Sequence, residues 1–323
     1  MKTYSFIKQI IAIIATGIIT TGVNAQHFTD FEFVETAPPN IRQAMQNNTK
    51  AVFRQIHDAY YSKKNDVTLS RNNATPEAIG RIQALWSTSK FYSVETEIIA
   101  KVLQASKGWQ VRNIPVMFVE GETDEDKYQD IVLEFAPDGK ISDVYIALPM
   151  HQYYEVFREA NEVTDLRRRQ LILGFVENFR TSYNRKDIDY LNRVFSNDAL
   201  IITGKVLKPA GKSLDPEGRA KIEYVVQNKS QYLTRLNAVF KNNAYINIKF
   251  DEIEVIRHDG NTNIYGVTLR QKWNTTNYSD EGWIFLMIDF KDEDNPLIWV
   301  RTWEPLEVPR NEVMGLDNFK INR

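Results

Sequence analysis

Two stretches of this chain repeat one hydrophobic pattern in one order, and that recurrence limits the fold more than any single motif does. Residues from Phe91 read FYSVETEIIAKVLQ, and those from Ala244 read AYINIKFDEIEVIR. Further on, DKYQDIVLEFAPDGKISDVYIAL from Asp126 lines up with DEGWIFLMIDFKDEDNPLIWVRTW from Asp280. Few residues are identical. What recurs is the alternation, an acidic loop before each third strand and a turn before each fourth. Self-similarity over so long a period predicts two copies of one fold. The chain has 323 residues, 43% hydrophobic and 12% aromatic, which is enough apolar material for one core per copy.

The N-terminus addresses the compartment. Lys2 and Lys8 form a basic start, Ile10 to Ile19 form a short apolar run, and Val23-Asn24-Ala25 supplies small residues where a signal peptidase reads. This predicts a secretory signal peptide over residues 1–25, cleaved between Ala25 and Gln26. The apolar run is shorter than the ~20 residues needed to span a bilayer. The sequence has no cysteine, which removes disulfides, thiolate metal sites, a cysteine nucleophile and a lipid-bearing cysteine together. A formal net charge of −2 gives no general attraction to nucleic acid or anionic lipid. The expected mature protein is soluble and periplasmic or secreted, with no membrane span after cleavage and no nucleic-acid partner.

Along the chain, a first α+β domain is expected over 38–150, a second over 163–306 and a tail over 307–323. A helix starts near Ile41, with Met45, Val52, Ile56, Ala59 and Tyr60 at helical spacing. Thr75-Pro76-Glu77 is a capped helix start. Strands follow near Phe91–Gln104, Trp109–Val119, Tyr128–Phe135 and Lys140–Leu148, with Pro137-Asp138-Gly139-Lys140 as a hairpin turn. In the second half, Asp165 precedes a helix with the stripe Leu171, Ile172, Phe175, Phe179 and Tyr183, and arginines on its other side. Asp187 caps a short helix, Ala199–Thr203 is a strand, and Asp215-Pro216-Glu217 starts a further helix. Strands at Tyr245–Arg257, Asn263–Trp273, Trp283–Phe290 and Leu297–Trp303 close the domain. Helices followed by antiparallel strands predict an α+β fold, helices packed on one side of a curved sheet.

The stretch FVENFRTSYNRKDIDYLNRVFSNDALI, Phe175 to Ile201, resembles the opening of nuclear transport factor 2-like domains, including SnoaL-like members. The matching positions are Tyr183, Asp187, Leu191, Phe195, Asp198 and Ala199. The resemblance covers Asp165 to about Pro305; over Ile41–Leu148 it rests on strand order alone. The whole chain is also similar to exported Bacteroidota proteins that carry two such domains in tandem and have no assigned activity. The resemblance implies two cone-shaped domains. It further implies a search for an acid or base near Tyr183, because enzymes of this superfamily, such as ketosteroid isomerase and scytalone dehydratase, place an Asp, His or Tyr inside the cone.

The chemistry-bearing residues are few. Asp289 lies on an apolar strand, where burial would suit it to proton transfer, but its place beside Lys291-Asp292-Glu293-Asp294 equally suits a solvated strand end. His258 is the other candidate to join Tyr183. Period-two alternation puts Trp299, Arg301 and Trp303 on one face, and Arg270 and Lys272 join them if the hairpins pair in register. Such a basic and aromatic face suits a carboxylate, a glycan or a peptide terminus; it equally suits arginines lying over tryptophans at a domain interface.

The four histidines show no metal-ligand spacing, so no metal and no cofactor is expected. The acidic runs Glu120–Asp126 and Asp292–Asp294 read as solvated hairpin tips. Ala210-Gly211-Lys212-Ser213 ends like a phosphate loop but lacks its upstream glycine and strand, and Arg167-Arg168-Arg169 fits a solvated helix face. The favoured reading is a non-catalytic binding or scaffolding protein of the cell envelope, meeting an envelope protein or a second copy through its sheet faces. The alternative is a SnoaL- or dehydratase-type small-molecule enzyme with a pocket in the second domain.

Overall fold

The computed structural model describes residues 28–105, 107–120, 124–159, 163–206 and 221–320. The expected signal peptide and its cleavage site, the helix start at Asp215 and the phosphate-loop lookalike at Ala210–Ser213 lie outside the described residues.

The first half begins with a strand that periodicity did not reveal, β1 (Asp30–Val34), followed by α1 (Pro39–Tyr61) and α2 (Pro76–Thr88). Thr75 caps α2 by accepting a hydrogen bond from the Ala78 amide at 3.2 Å. The strands are β2 (Phe91–Tyr92), β3 (Glu97–Ala105), β4 (Gly108–Phe118), β5 (Tyr128–Phe135) and β6 (Ile141–Ile146), with a four-residue helix, α3 (Asp124–Lys127), before β5. They form a sheet of order β1-β3-β4-β5-β6, with β2 paired to β4. Met45, Val52, Phe53 and Ile56 of α1 and Ile82, Leu85 and Trp86 of α2 are buried against Val102, Val111, Ile131, Leu133 and Phe135. Gly139, with φ 85°, turns the chain from β5 into β6. A Cβ there would also sit 3.0 Å from Ala44 Cβ and 3.2 Å from the Ile41 carbonyl, so the glycine is set by α1 as much as by the turn.

The second half contains α4 (Met150–Arg158), α5 (Val163–Asn184), α6 (Ile188–Val194), β7 (Phe195–Val206), β8 (Ile222–Asn228), α7 (Lys229–Asn242), β9 (Ile246–Arg257), β10 (Ile264–Thr275), β11 (Ser279–Asp289) and β12 (Leu297–Pro305). Asn228 and Gln231 form a reciprocal capping box at the start of α7. The sheet order is β8-β7-β12-β11-β10-β9. Each half therefore carries a four-stranded antiparallel meander, β3 to β6 and β9 to β12. The strand that precedes each meander attaches differently: β1 runs parallel to β3, its first strand, whereas β7 runs parallel to β12, its last. Bulges interrupt the second sheet between Thr268 and Arg270 and between Ile298 and Val300, and such insertions bend a sheet.

Helix α5 is where expectation and structure differ most. Its apolar stripe, Ile172, Val176, Phe179 and Tyr183, enters the core of the second half as the spacing predicts. Its opposite side is not solvated. Glu177, Arg180, Thr181, Asn184 and Arg185 are all buried. Glu177 accepts from Arg112 of β4 at 2.6 Å and from the Leu148 amide at 2.8 Å. Thr181 Oγ1 accepts from the Ile146 amide at 3.0 Å, and Arg180 donates to the carbonyls of Ile248 and Ala147 and to Gln129. The helix is thus held between the two halves, apolar towards one sheet and hydrogen-bonded towards the other. Arg169 of the arginine triplet is also buried, paired with Asp165 at 2.9 Å.

Two further coverings complete the second sheet. The free edge of β9 is capped by side chains, Asn184 taking the Ile248 amide and Gln152 taking the Ile253 amide, each at 2.8 Å. On the face of the second sheet turned away from α5, Ile264, Phe285, Met287 and Val300 form a small apolar cluster. The C-terminal segment covers it through Leu316 and Phe319, and Phe319 stacks on Phe285 at 5.7 Å with an interplanar angle of 4°. Both faces of the second sheet are therefore met by the chain itself. Among the described residues no helix is long and apolar enough to cross a membrane.

Candidate functional site

The hollow between the second sheet and helices α5 and α7 is lined by apolar groups at its base. Phe179, Leu236 and Phe240 fill it together with Ile201, Ile248, Phe250, Val267 and Leu286. Above that base the lining changes character. The Tyr183 hydroxyl, at the end of α5, lies 2.7 Å from the Tyr232 hydroxyl of α7. The guanidinium of Arg301 sits over the Tyr232 ring, 5.1 Å from its centroid. Trp273 meets Tyr183 edge-on at 5.9 Å. Arg301 is only 5% exposed and Tyr183 only 1%, whereas Tyr232, Trp273, Trp303 and Asp280 are half-buried. These polar groups thus sit between a filled apolar base and a half-buried rim of aromatic groups and one carboxylate.

Strand register explains why these residues share a face. Gln227 pairs with Ile201, Ile201 with Arg301, and Arg301 with Leu286, so this row runs across β8, β7, β12 and β11 on the side of the core. Trp303 pairs with Ile284, and Asp280 with Trp273, both again on that side. Trp303 can lie down on the sheet because residue 282 is glycine: a Cβ there would come within 2.8 Å of the indole and 2.4 Å of the Glu304 carbonyl.

The electrostatics are unusual for a core. Burial works against the charge on Arg301, but Tyr232, Tyr183 and the carboxylate of Asp280 hold its pKa above the ordinary arginine value. Burial pushes the Tyr183 hydroxyl well above 10; the Tyr232 hydroxyl adds to the shift, and Arg301 opposes it. Burial also raises Asp280, against the Tyr278 hydroxyl that donates to its Oδ2 at 2.7 Å and against the charge of Arg301. Four buried atoms on this face have no hydrogen-bond partner: Nε of Arg301, Nε1 of Trp303, Nε2 of Gln227 and Oδ1 of Asp280. Buried polar atoms are normally paired, and unpaired ones cost free energy.

Only part of the expected binding face assembles. Arg301 and Trp303 enter the hollow. The bulge between Ile298 and Val300 turns Trp299 to the other side of the sheet, where it packs on the Val300 cluster. Arg270 and Lys272 also lie on that other side, and Arg270 pairs there with Glu252 at 2.8 Å and Glu281 at 2.6 Å. The two candidates for partnering Tyr183 do not reach it. Asp289 accepts from the Lys291 amide at 2.8 Å in the turn after β11, and His258 accepts from the Gly260 amide at 3.0 Å in the β9–β10 hairpin. The residues that do meet Tyr183 and Arg301 were not singled out by sequence reasoning. Alternation extended three residues before Trp283 places Asp280 on the face of Ile284 and Leu286, so that signal was present; nothing in the spacing of α7 marks Tyr232.

Two cavities lie elsewhere. A groove of about 680 Å³ between α6 and α7 is lined by Asp189, Asn192, Asn197, Asn228, Lys229 and Asn237, and a crevice of about 10 Å³ between the halves is lined by Gln129, Asn184 and Asn247. Among the described residues no three of His, Cys, Asp or Glu gather in the manner of metal ligands.

No family model matches the chain, and no curated protein matches it. Solved structures resemble parts of it. Bd1075 of Bdellovibrio bacteriovorus is 16% identical with a TM-score of 0.34, over 46% of this chain and 44% of that one, so this chain spans under half of that protein's length. An NTF2-like protein from Cytophaga hutchinsonii is 12% identical with a TM-score of 0.31, over 43% of this chain and 98% of that one. ActVI-ORFA from Streptomyces coelicolor is 10% identical with a TM-score of 0.32, over 43% of this chain and 97% of that one. The fold class rests on the strand order and packing described above: α+β, with helices packed on two separate, mostly antiparallel sheets.

Proposed function

We propose that this chain is a non-catalytic binding protein, exported to the cell envelope, in which the hollow of the second half is the recognition site and the two halves are tandem nuclear transport factor 2-like domains. One observation carries the binding reading: a buried arginine, Arg301, is held by two tyrosines and, among the described residues, has no carboxylate bonded to it. A group of that kind recognises a ligand and does not relay a proton, because guanidinium keeps its charge throughout the physiological range. The sheet faces, by contrast, are met by α5 and by the C-terminal segment, while Trp273, Tyr232 and Trp303 stay half-buried beside Arg301.

A second reading has its own support. Asp280 faces the same hollow with one unpartnered oxygen and a raised pKa, which suits a general base, and the Tyr183–Tyr232 pair with Arg301 would hold a developing negative charge. One experiment separates the two. Small molecules retained by the protein purified from native envelope are identified by mass spectrometry, for the natural chain and for Asp280→Asn. The binding reading predicts the same molecule in both. A molecule in Asp280→Asn that is an isomer of the natural one by a proton shift, or that carries one water more, contradicts it and supports the enzyme. Export predicts that the mature chain begins at Gln26; a full-length chain in the cytoplasm contradicts that.

A further inference from the structure

Three unpartnered buried donors share one face of the second sheet: Nε of Arg301, Nε1 of Trp303 and Nε2 of Gln227. Arg301 and Gln227 are 5% and 8% exposed, so water does not satisfy them as it would satisfy a surface group. Each buried donor left without an acceptor keeps its full desolvation penalty. The carboxylate facing the same hollow, Asp280, does not make up the deficit: its Oδ2 is taken by Tyr278 and its Oδ1 is unpartnered too, so it acts on Arg301 only through space.

We propose that the ligand of this hollow carries a carboxylate on a flat apolar body, and that Arg301 receives the carboxylate at the bottom while Trp273, Trp303 and Tyr232 hold the body. The assignment rests on the hollow being the recognition site. Its chemistry is specific. The guanidinium edge presents parallel N–H groups that match the two oxygens of a carboxylate. Tyr232 occupies one face of the guanidinium and Tyr183 takes part of its edge, which leaves Nε to the ligand. The neighbouring indole and amide donors supply further hydrogen bonds to the same anion. The body of the ligand passes three half-buried aromatic rings, which favour a planar apolar group. Asp280 at the mouth sets the charge: a singly charged carboxylate meets one like charge there, whereas a dianionic phosphate would meet it with twice the repulsion.

The test uses the mature protein and three matched probes, 2-naphthoate, 2-naphthamide and 2-naphthyl phosphate, with the neutral dye Nile red as a reporter of the hollow. Affinities are measured by calorimetry and tryptophan fluorescence for the natural chain, Arg301→Lys, Arg301→Met, Gln227→Leu and Trp303→Ala, each first shown by thermal melting to be folded. Naphthoate should displace Nile red and bind roughly tenfold or more tightly than naphthamide, the increment of a charge-assisted hydrogen bond. Arg301→Lys should lose about tenfold in naphthoate affinity and Arg301→Met should erase the preference over naphthamide. If naphthamide displaces Nile red as well as naphthoate does, or if the phosphate binds more tightly than the carboxylate, the ligand class is wrong and the site stands. Nile red binding that is absent or indifferent to Trp303→Ala would overturn the site itself.

Discussion

Two inward-facing arginines, one on each sheet, divide the molecule into a part that is complete and a part that is not. Arg112 of β4 is closed in by the helix α5: its guanidinium bonds both oxygens of Glu177, at 2.6 and 2.8 Å, contacts the Tyr153 hydroxyl and reaches Gln110 at 3.1 Å. Gln110 continues the chain of bonds to Tyr145 at 2.8 Å, and Tyr145 to Glu134 at 3.2 Å. Arg301 of β12 is more deeply buried, but its neighbours are phenol groups and its Nε has no acceptor. A buried charge that is paired and hydrogen-bonded is a structural element; one that is not is held against its own desolvation. The difference teaches that the polar groups between the halves complete one another, whereas those around Arg301 do not, which is what the proposed recognition role requires.

The largest effect expected from this contrast is at the paired site. Arg112→Met leaves Glu177 charged and buried without its partner, and urea unfolding should show a loss of about 3–5 kcal/mol. A loss below about 1 kcal/mol would mean that the halves are not held by this network. The next effect separates the sites by ligand: Arg301→Met should remove naphthoate binding, and Arg112→Met, where still folded, should leave it intact. Equal losses in both would show that binding merely reports stability.

A smaller effect comes from Asp280. Burial raises its folded-state pKa above the unfolded value of 3.8. Below that value both states are protonated. As pH rises from about 4 through the raised folded value, the unfolded state ionises first, and stability falls across that window. Asp280→Asn mimics the protonated form, so it should flatten this fall, raise the melting temperature near neutral pH and tighten carboxylate binding by removing a like charge. A variant with an unchanged pH slope would place Asp280 in water. The smallest effect is expected at the C-terminal segment: Phe319→Ala removes one stacked ring from a half-buried site and should cost about 1 kcal/mol, with ligand binding unaltered. Weakened binding there would join the outer face of the sheet to the recognition site.

The fold was largely legible in the sequence, and for a definite reason. The meanders β3 to β6 and β9 to β12 show period-two alternation and turn residues at their joints, so strand order followed. β1 was missed because five residues, DFEFV, with a single alternating pair of phenylalanines offer too little period to count. The burial of the polar side of α5 was missed because helical periodicity equates polar with solvated. Glu177, Arg180 and Arg185 are buried by virtue of bonds to a sheet distant in sequence, which no local pattern encodes. At the candidate site, Tyr183, Arg301 and Trp303 were legible from the helix stripe and strand alternation. Trp299 was placed on the wrong face because one inserted residue reverses the parity of everything before it. Asp280 and Tyr232 needed the sheet pairing and the docking of α7 before their common environment could be seen.

Whether Arg301 is present for a ligand or for the fold is read from the unfolding free energy of Arg301→Met beside that of Arg112→Met. Tyr183 and Tyr232 keep their mutual hydrogen bond when the guanidinium is gone, so methionine replaces an incompletely paired buried charge with an apolar group of similar length. Arg301→Met should unfold at the same urea concentration as the natural chain or a higher one, while Arg112→Met should unfold far earlier. An Arg301→Met loss as large as that of Arg112→Met would contradict it, and would make Arg301 a structural residue like its counterpart on the first sheet.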